Sequence, residues 1–350
     1  MTQDQNTPLF SPRRADFYKI ECFAALVLAC MLVPVTGYTQ DGPATPEATR
    51  DALGKKEGDA DSASALAETL TATKKEYAML RKGKRSVTYD VNYSYIGHQI
   101  IDPATLIVLT TRGHTVRNTI SVDFGVKDNL TANISVPLVS KYSVDETSST
   151  FSNGFGDISV GARFQPFALS RTAPSLTVSA SASLPTGRSP YVGVDSTNAT
   201  GAGSASGTIG LNISKVIDPV AIFGSANVTL SMPAKGLSQR TSTSSTLVLN
   251  EVYPGQTFGF GAGFSYALSY NITTTMSFQQ SITGGTRLVY TDEATGKGSE
   301  RKTTSSNSGM LNFGLGVRVS PITTMNFNIG MGLTSDSPDF TLGMNMPLNF

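Results

Sequence analysis

Charge is scarce in this 350-residue sequence: Asp, Glu, Lys and Arg together make up 15%. An average soluble domain carries roughly 25%, so an ordinary solvated surface has too few ions here to cover it. The balance is also even, 27 basic residues against 26 acidic ones. No bulk field then exists to draw nucleic acid, and no nucleic-acid partner is expected. Tryptophan is absent. Beyond the amino terminus no apolar run approaches the ~18 residues that a membrane helix needs, which excludes a helical membrane protein. Both cysteines, Cys22 and Cys30, fall in the first 37 residues. A chain processed there has no disulfide or thiol chemistry.

That first segment has the layout of a secretory signal. Arg13, Arg14 and Lys19 precede an apolar stretch over residues 22–35, followed by the small residues Thr36 and Gly37. Arg13-Arg14 with Phe17 is similar to a twin-arginine signal, and Val27-Leu28-Ala29-Cys30 to a lipoprotein box. The twin-arginine route carries folded cargo and the apolar run continues past Cys30, so residues 1–37 are read as a general secretory signal peptide. Residues 38–61, rich in Pro, Gly, Ala, Thr and Asp, cannot bury enough apolar surface to fold and are read as a disordered periplasmic linker. Within residues 62–83, Leu66, Leu70, Thr73, Tyr77 and Leu80 follow the alternating four-and-three spacing of a coiled-coil seam. The spacing predicts a periplasmic α-helix that needs a partner surface, because about three heptads are marginal alone. An identical helix or a barrel mouth, which it would plug, are both open.

After Gly83 the apolar period becomes two. Val87, Tyr89, Val91, Tyr93 and Tyr95 alternate with Thr88, Asp90, Asn92 and Ser94. The alternation recurs over residues 120–126, 130–138, 158–164, 176–184, 209–213, 220–230, 258–266, 272–278, 311–319, 325–333 and 340–350. About twelve strands result, an even number as single-chain bacterial barrels require. Short turns at Asp128-Asn129, Ile217-Asp218-Pro219, Ser269-Tyr270-Asn271 and Ser320-Pro321 alternate with long polar connections at 143–154, 185–204, 231–255 and 283–307. Short periplasmic turns and long outer loops are how such barrels are built. A strand of ~10 residues tilted by about 40° spans roughly 25 Å, the height of the outer membrane's apolar band. A soluble β-sandwich would solvate charges on its outer faces, whereas the polar face here is mostly Ser, Thr and Asn. The expected fold is all-β, a closed antiparallel transmembrane barrel over residues 85–350, in the outer membrane of a Gram-negative bacterium. Outer-membrane lipid, periplasmic chaperones and the barrel-assembly machinery are its expected partners.

The last strand fits this reading. Phe340, Leu342, Met344, Met346, Leu348 and Phe350 form one apolar row opposed by Thr341, Asn345 and Asn349. An edge strand at the chain end invites aggregation unless it is paired, so it should close on residues 87–95.

No catalytic constellation stands out, no cofactor is expected and the chain is read as a non-enzyme. His98 and His114 bracket the first long connection and could meet at its base with Asp102, a hydrolase arrangement; solvated loop histidines are the plainer reading. The same pair lacks a third metal ligand. Gly259, Gly261 and Gly263 alternate with Phe258, Phe260, Ala262 and Phe264, so they read as small lumen-facing residues rather than a nucleotide loop. By parity Asp90, Asp123, Asp157, Arg117, Arg163 and Arg318 point inward. They could form a charge-selecting constriction, or pair across the lumen and fill it.

Two motifs carry a family resemblance. Residues 154–161, Gly-Phe-Gly-Asp-Ile-Ser-Val-Gly, and Leu184-Pro185-Thr186-Gly187 resemble an outer-membrane family of the meta-pathway of phenol degradation, a group of barrel transporters. The second motif often continues there with an acidic residue, where this chain has Arg188. The passage from Tyr77-Ala78-Met79-Leu80-Arg81-Lys82-Gly83 into Tyr89-Asp90-Val91-Asn92-Tyr93 resembles more closely the Fap-type pores that export functional amyloid, as do Leu138-Val139-Ser140-Lys141-Tyr142 and Phe164-Gln165-Pro166-Phe167. That resemblance implies a twelve-stranded pore, trimeric through the coiled coil, gated by its helix and passing an amyloid subunit. The alternatives from the residues are a passive channel for hydrophobic or aromatic small molecules and a closed structural barrel or adhesin.

Overall fold

The computed structural model describes residues 79–101, 108–144, 149–167, 173–191, 199–217, 219–240, 246–320 and 323–348. The barrel wall contains β1 (Arg85–Ile101), β2 (Val108–Lys127), β3 (Leu130–Val144), β4 (Ser149–Phe155), β5 (Ile158–Phe164), β6 (Ser175–Leu184), β7 (Ser206–Ile217) and β8 (Val220–Ser231). Two strands of an outer loop follow, β9 (Ala234–Arg240) and β10 (Leu247–Tyr253). The wall resumes with β11 (Thr257–Ser269) and β12 (Ile272–Thr283), and β13 (Arg287–Asp292) and β14 (Gly298–Lys302) form a second outer excursion. The wall ends with β15 (Ser306–Ser320), β16 (Thr323–Gly332) and β17 (Phe340–Leu348).

Pairing runs β2-β1-β17-β16-β15-β12-β11-β8-β7-β6-β5-β3, and β3 returns to β2, so the sheet is closed. Every ladder is antiparallel. β4 and β5 share one position against β3, which gives a twelve-stranded barrel. Closure satisfies the backbone without water, as a wall in hydrocarbon must. The seam is the pairing of the last strand with the first, from Val87↔Leu348 to Tyr95↔Phe340.

Along most of the wall, burial is inverted relative to a soluble protein. On β7, Ile209, Leu211 and Ile213 are 62%, 50% and 49% exposed, while Asn212 and Ser214 are each 3% exposed. The apolar row meets lipid and the polar row lines the lumen, where hydroxyls pair across strands: Thr208 with Thr229 at 2.8 Å and Ser121 with Ser135 at 2.9 Å. Inward glycines make room for asparagines on the next strand. A Cβ at Gly343 would collide with Asn328, and one at Gly259 would sit 2.7 Å from Asn227 Oδ1. Gly259, Gly261 and Gly263 face the lumen while Phe258, Phe260 and Phe264 are exposed on the outer wall.

Aromatic rings mark both edges of the apolar band. Toward the outside, Tyr95 and His114 have ring centres 5.1 Å apart, Tyr93 and Phe340 5.7 Å, and His114 and Tyr142 6.1 Å. Phe124, Phe164, Tyr266 and Tyr270 are exposed near the short turns. The ten residue steps from His114 to Phe124 project to about 25 Å, one apolar band. β2, at 20 residues, is twice as long as the band requires, so β1 and β2 rise well above the membrane where a long loop was expected.

Three other expected loops are also folded, the first of them, residues 143–154, into β4. Residues 231–255 and 283–307 supply a second sheet, ordered β14-β13-β10-β9. Val248 and Val252 are buried in it, and Tyr253 lies 4.1 Å from the Arg287 guanidinium and 5.6 Å from Lys235 Nζ. The runs Leu247-Val248-Leu249 and Leu288-Val289-Tyr290 are short strand formers inside otherwise polar segments.

Candidate functional site in the barrel lumen

The lumen is shaped first by a break in the wall. Pro137, on β3, has no N–H to give to a ladder. Opposite it the partner strand divides into β4 and β5, and the Gly156 N–H donates to the Pro137 carbonyl at 2.8 Å. A Cβ at Gly156 would lie 3.0 Å from Pro137 Cγ and 3.1 Å from Val139 Cγ2, so glycine fits the gap. Asp157 follows it and faces the lumen. Its Oδ1 accepts the Gly187 N–H at 3.0 Å and its Oδ2 accepts the Ala202 N–H at 2.6 Å. Thr186 Oγ1 accepts the Ile158 N–H at 2.9 Å and donates to the Gly156 carbonyl at 3.0 Å. Thr200 donates to the Phe155 carbonyl at 2.7 Å and accepts the Arg188 N–H at 2.9 Å. The two motifs that carry the family resemblance are therefore halves of one joint.

This joint holds residues 185–191 and 199–205, the described parts of the connection between β6 and β7, against the inner wall. Gly187 and Gly201 approach each other and Asp157 so closely that a Cβ on either would collide. Gly203 takes the left-handed conformation at φ +74°. Tyr191 is half-buried beside it, and that burial raises its phenol above the ordinary range. The β5–β6 ladder stops at Ile158↔Leu184. Among the described residues the far edge of β4 therefore pairs with no strand, and the loop covers it beside the exposed rings of Phe151 and Phe155.

The six charges expected inside do not form one ring. Asp123 and Arg163 make a buried ion pair, Nη2 to Oδ1 at 2.6 Å, with side chains 6% and 9% exposed. They border a cavity of about 280 Å³ walled by Asn133, Ser179, Asn212 and Asn227. Arg117 and Asp157 border a second cavity of about 520 Å³, closed on the loop side by Thr200, Gly201 and Ala202. Ser135 lines both, so the spaces adjoin. Asp90 accepts from Asn345 Nδ2 at 3.2 Å across the seam, and the Arg318 guanidinium stacks 4.8 Å from the centre of the Tyr270 ring, at a periplasmic turn. The charges thus lie at separate levels and play separate parts.

Two cations were not among those expected. Lys141 shares the second cavity, and Arg188 Nη1 donates to Ser152 Oγ at 3.4 Å, with Ser152 standing opposite Lys141 in the β3–β4 ladder. Parity along β3, carried past Val139, places Lys141 inward; Arg188 sits on a loop, where parity says nothing.

The two histidines stand on neighbouring strands, and Asp102 lies outside the described residues. His98 pairs with Thr111 and His114 with Tyr95, three rungs apart, and His114 Nδ1 shares a hydrogen bond with the Tyr93 hydroxyl at 2.8 Å.

At the periplasmic end, residues 79–83 of the expected helix are not helical, and residues 62–78 lie outside the described residues. Residues 79–84 contain no helical turn; the Leu80 N–H donates to the inward Thr131 Oγ1 at 3.1 Å and the Lys82 N–H to Asp128 Oδ1 at 2.9 Å. The Gly83 N–H donates to the Gly125 carbonyl at 2.7 Å, and a Cβ at Gly125 would collide with the Arg81 carbonyl. Inner-wall hydrogen bonds replace the helical ones, so these residues line the mouth. Leu66, Leu70, Thr73 and Tyr77 lie outside the described residues, as does Phe350. Phe340 and Leu342 are exposed on the outer wall, and Met344, Met346 and Leu348 occupy the same row of the β17 ladder.

No protein-family model matches the chain. Among solved structures it is similar to an outer membrane channel from Pseudomonas putida F1, at 12% identity over 79% of this chain and 98% of that one, with a TM-score of 0.58. The translocator domain of the autotransporter NalP from Neisseria meningitidis matches at 10% identity over 87% and 97% of the two chains, with a TM-score of 0.48. The first likeness shows the fold alone: a barrel of the Gram-negative outer-membrane type.

Proposed function

We propose that the chain is an outer-membrane channel for small solutes with an apolar body, narrowed from the outside by the β6–β7 loop and at the periplasmic mouth by residues 79–83. The observation that carries this reading is the joint at Asp157. It turns the loop inward where strand pairing in the wall stops, beside Phe151 and Phe155, which are 62% and 65% exposed. Solutes that partition into the membrane then meet an apolar approach beside a wall section closed by a loop. The adjoining cavities of about 280 and 520 Å³ are on the scale of small-molecule sites. They favour small solutes over an unfolded polypeptide, and nothing in the described residues favours an amyloid subunit.

The segment before β1 acts as the inner restriction, since its carbonyl at Arg81 packs over Gly125 and its N–H groups bond to the inner wall. Planar-bilayer recordings of the full chain and of a variant lacking residues 38–82 test this. The deletion raises single-channel conductance. Equal conductance would remove the periplasmic restriction from the account, and no ion flow through either form would leave the barrel a closed anchor.

A further inference from the structure

We propose that Arg117 and Lys141 form a binding site for the carboxylate of a small amphiphilic acid inside the lumen, with Arg188 as a third cation at the level of Lys141. This rests on the channel reading above and names the class of its solute.

Arg117 stands opposite Val139 in the β2–β3 ladder, two residues before Lys141 on the same inner face. Diagonal neighbours of this kind have Cα atoms roughly 7–8 Å apart, within reach of two long side chains converging on one small anion. Both line the cavity of about 520 Å³. Among the described residues neither forms an ion pair, whereas Arg163, one level nearer the periplasm, is paired with Asp123. The third charge on this cavity, Asp157, already accepts one main-chain N–H on each carboxylate oxygen. It anchors the loop, and among the described residues it forms no ion pair with either cation.

The rest of the lining matches the other parts of such a ligand. Thr119, Ser135, Ser159 and Ser183 offer hydroxyls beside the cations, and Pro137 and Ala202 offer an apolar side. Guanidinium and ammonium groups make charge-assisted hydrogen bonds to carboxylate, stronger than those to a neutral amide of the same shape. Arg188 lies level with Lys141, its guanidinium on Ser152 opposite that residue, so a third cation stands beside the pair.

Equilibrium binding of radiolabelled benzoate to the purified full chain in detergent tests the site without requiring conduction. Benzoate binds saturably, and benzamide, its neutral counterpart of similar shape, competes about tenfold more weakly or worse. R117Q/K141Q lowers benzoate affinity by about tenfold or more, while R117K/K141R retains it. Heat-dependent mobility on gels verifies that each variant is a folded barrel; if the double variant does not fold, the wild-type contrast between benzoate and benzamide still decides. Equal affinity for the two ligands, or no benzoate binding, would overturn the site even if the pore conducts. Benzoate binding in a barrel that passes no ions would uphold the site and overturn the channel.

Discussion

Along β15, β16 and β17 the ladders run unbroken from Met310↔Gly332 to Val317↔Met325 and from Asn326↔Asn345 to Met331↔Phe340. The inner face there presents glycines and amides, with Asn328 packed on Gly343 and charge only at Arg318 on the rim. The wall of β2, β3, β4, β5 and β6 differs at every point: it holds a buried ion pair, a proline-matched strand break, a loop pinned inward and two cations on a cavity. One sector closes the barrel and the other gives the lumen its content. A closed sheet can tolerate a broken strand on one side because the remaining ladders hold its register.

The comparison can be broken by mutating equivalent faces of the two sectors. Arg163→Met removes the ion-pair partner of the buried Asp123 carboxylate and should cost about 3–5 kcal/mol in denaturant unfolding from lipid vesicles. A loss below about 1 kcal/mol would mean water reaches that pair freely. Phe327→Arg places a charge on the lipid face of the unbroken sector, opposite Met344, and should cost about 2–4 kcal/mol by the same measurement. Asn328→Ala, on the lumen face beside it, should cost about 1 kcal/mol or less and leave conductance unchanged. An altered conductance would give the smooth wall a part in the pathway.

The smallest effect concerns pH. The Tyr191 phenol is raised by burial, so the neutral form is favoured in the folded loop. Its contribution is complete below the ordinary tyrosine pKa and is lost as pH rises through the raised folded value. Conductance of the wild type should therefore increase in strongly alkaline solution, and Tyr191→Phe should shed that part of the response. An identical alkaline response in the two proteins would show that Tyr191 does not anchor the loop.

Period-two alternation is enough to read the twelve positions of the barrel wall but not β4 or the outer sheet, because in the wall each side chain must choose lipid or lumen and the two choices differ chemically. It also placed Asp123 and Arg163 inward. Parity assigns a face and not a partner, however: their contact spans β3 and depends on register, with Gly161 leaving space beside Asn133. Asp157 was legible as inward, while its use as an anchor was not, since Gly187 and Ala202 approach it only through the fold of a loop. The outer sheet was obscured because Leu247, Val248 and Val252 are short apolar signals within polar surroundings. Leu80 fits a helical seam by spacing, yet its N–H finds Thr131, a tertiary bond no local pattern contains.

Single-channel recording of Asp157→Ala beside the wild type tests whether Asp157 holds the β6–β7 loop inside the pore. Removing both acceptor oxygens releases the Gly187 and Ala202 N–H groups, and conductance should rise severalfold with the barrel intact by gel mobility. A folded Asp157→Ala barrel with wild-type conductance would contradict the account.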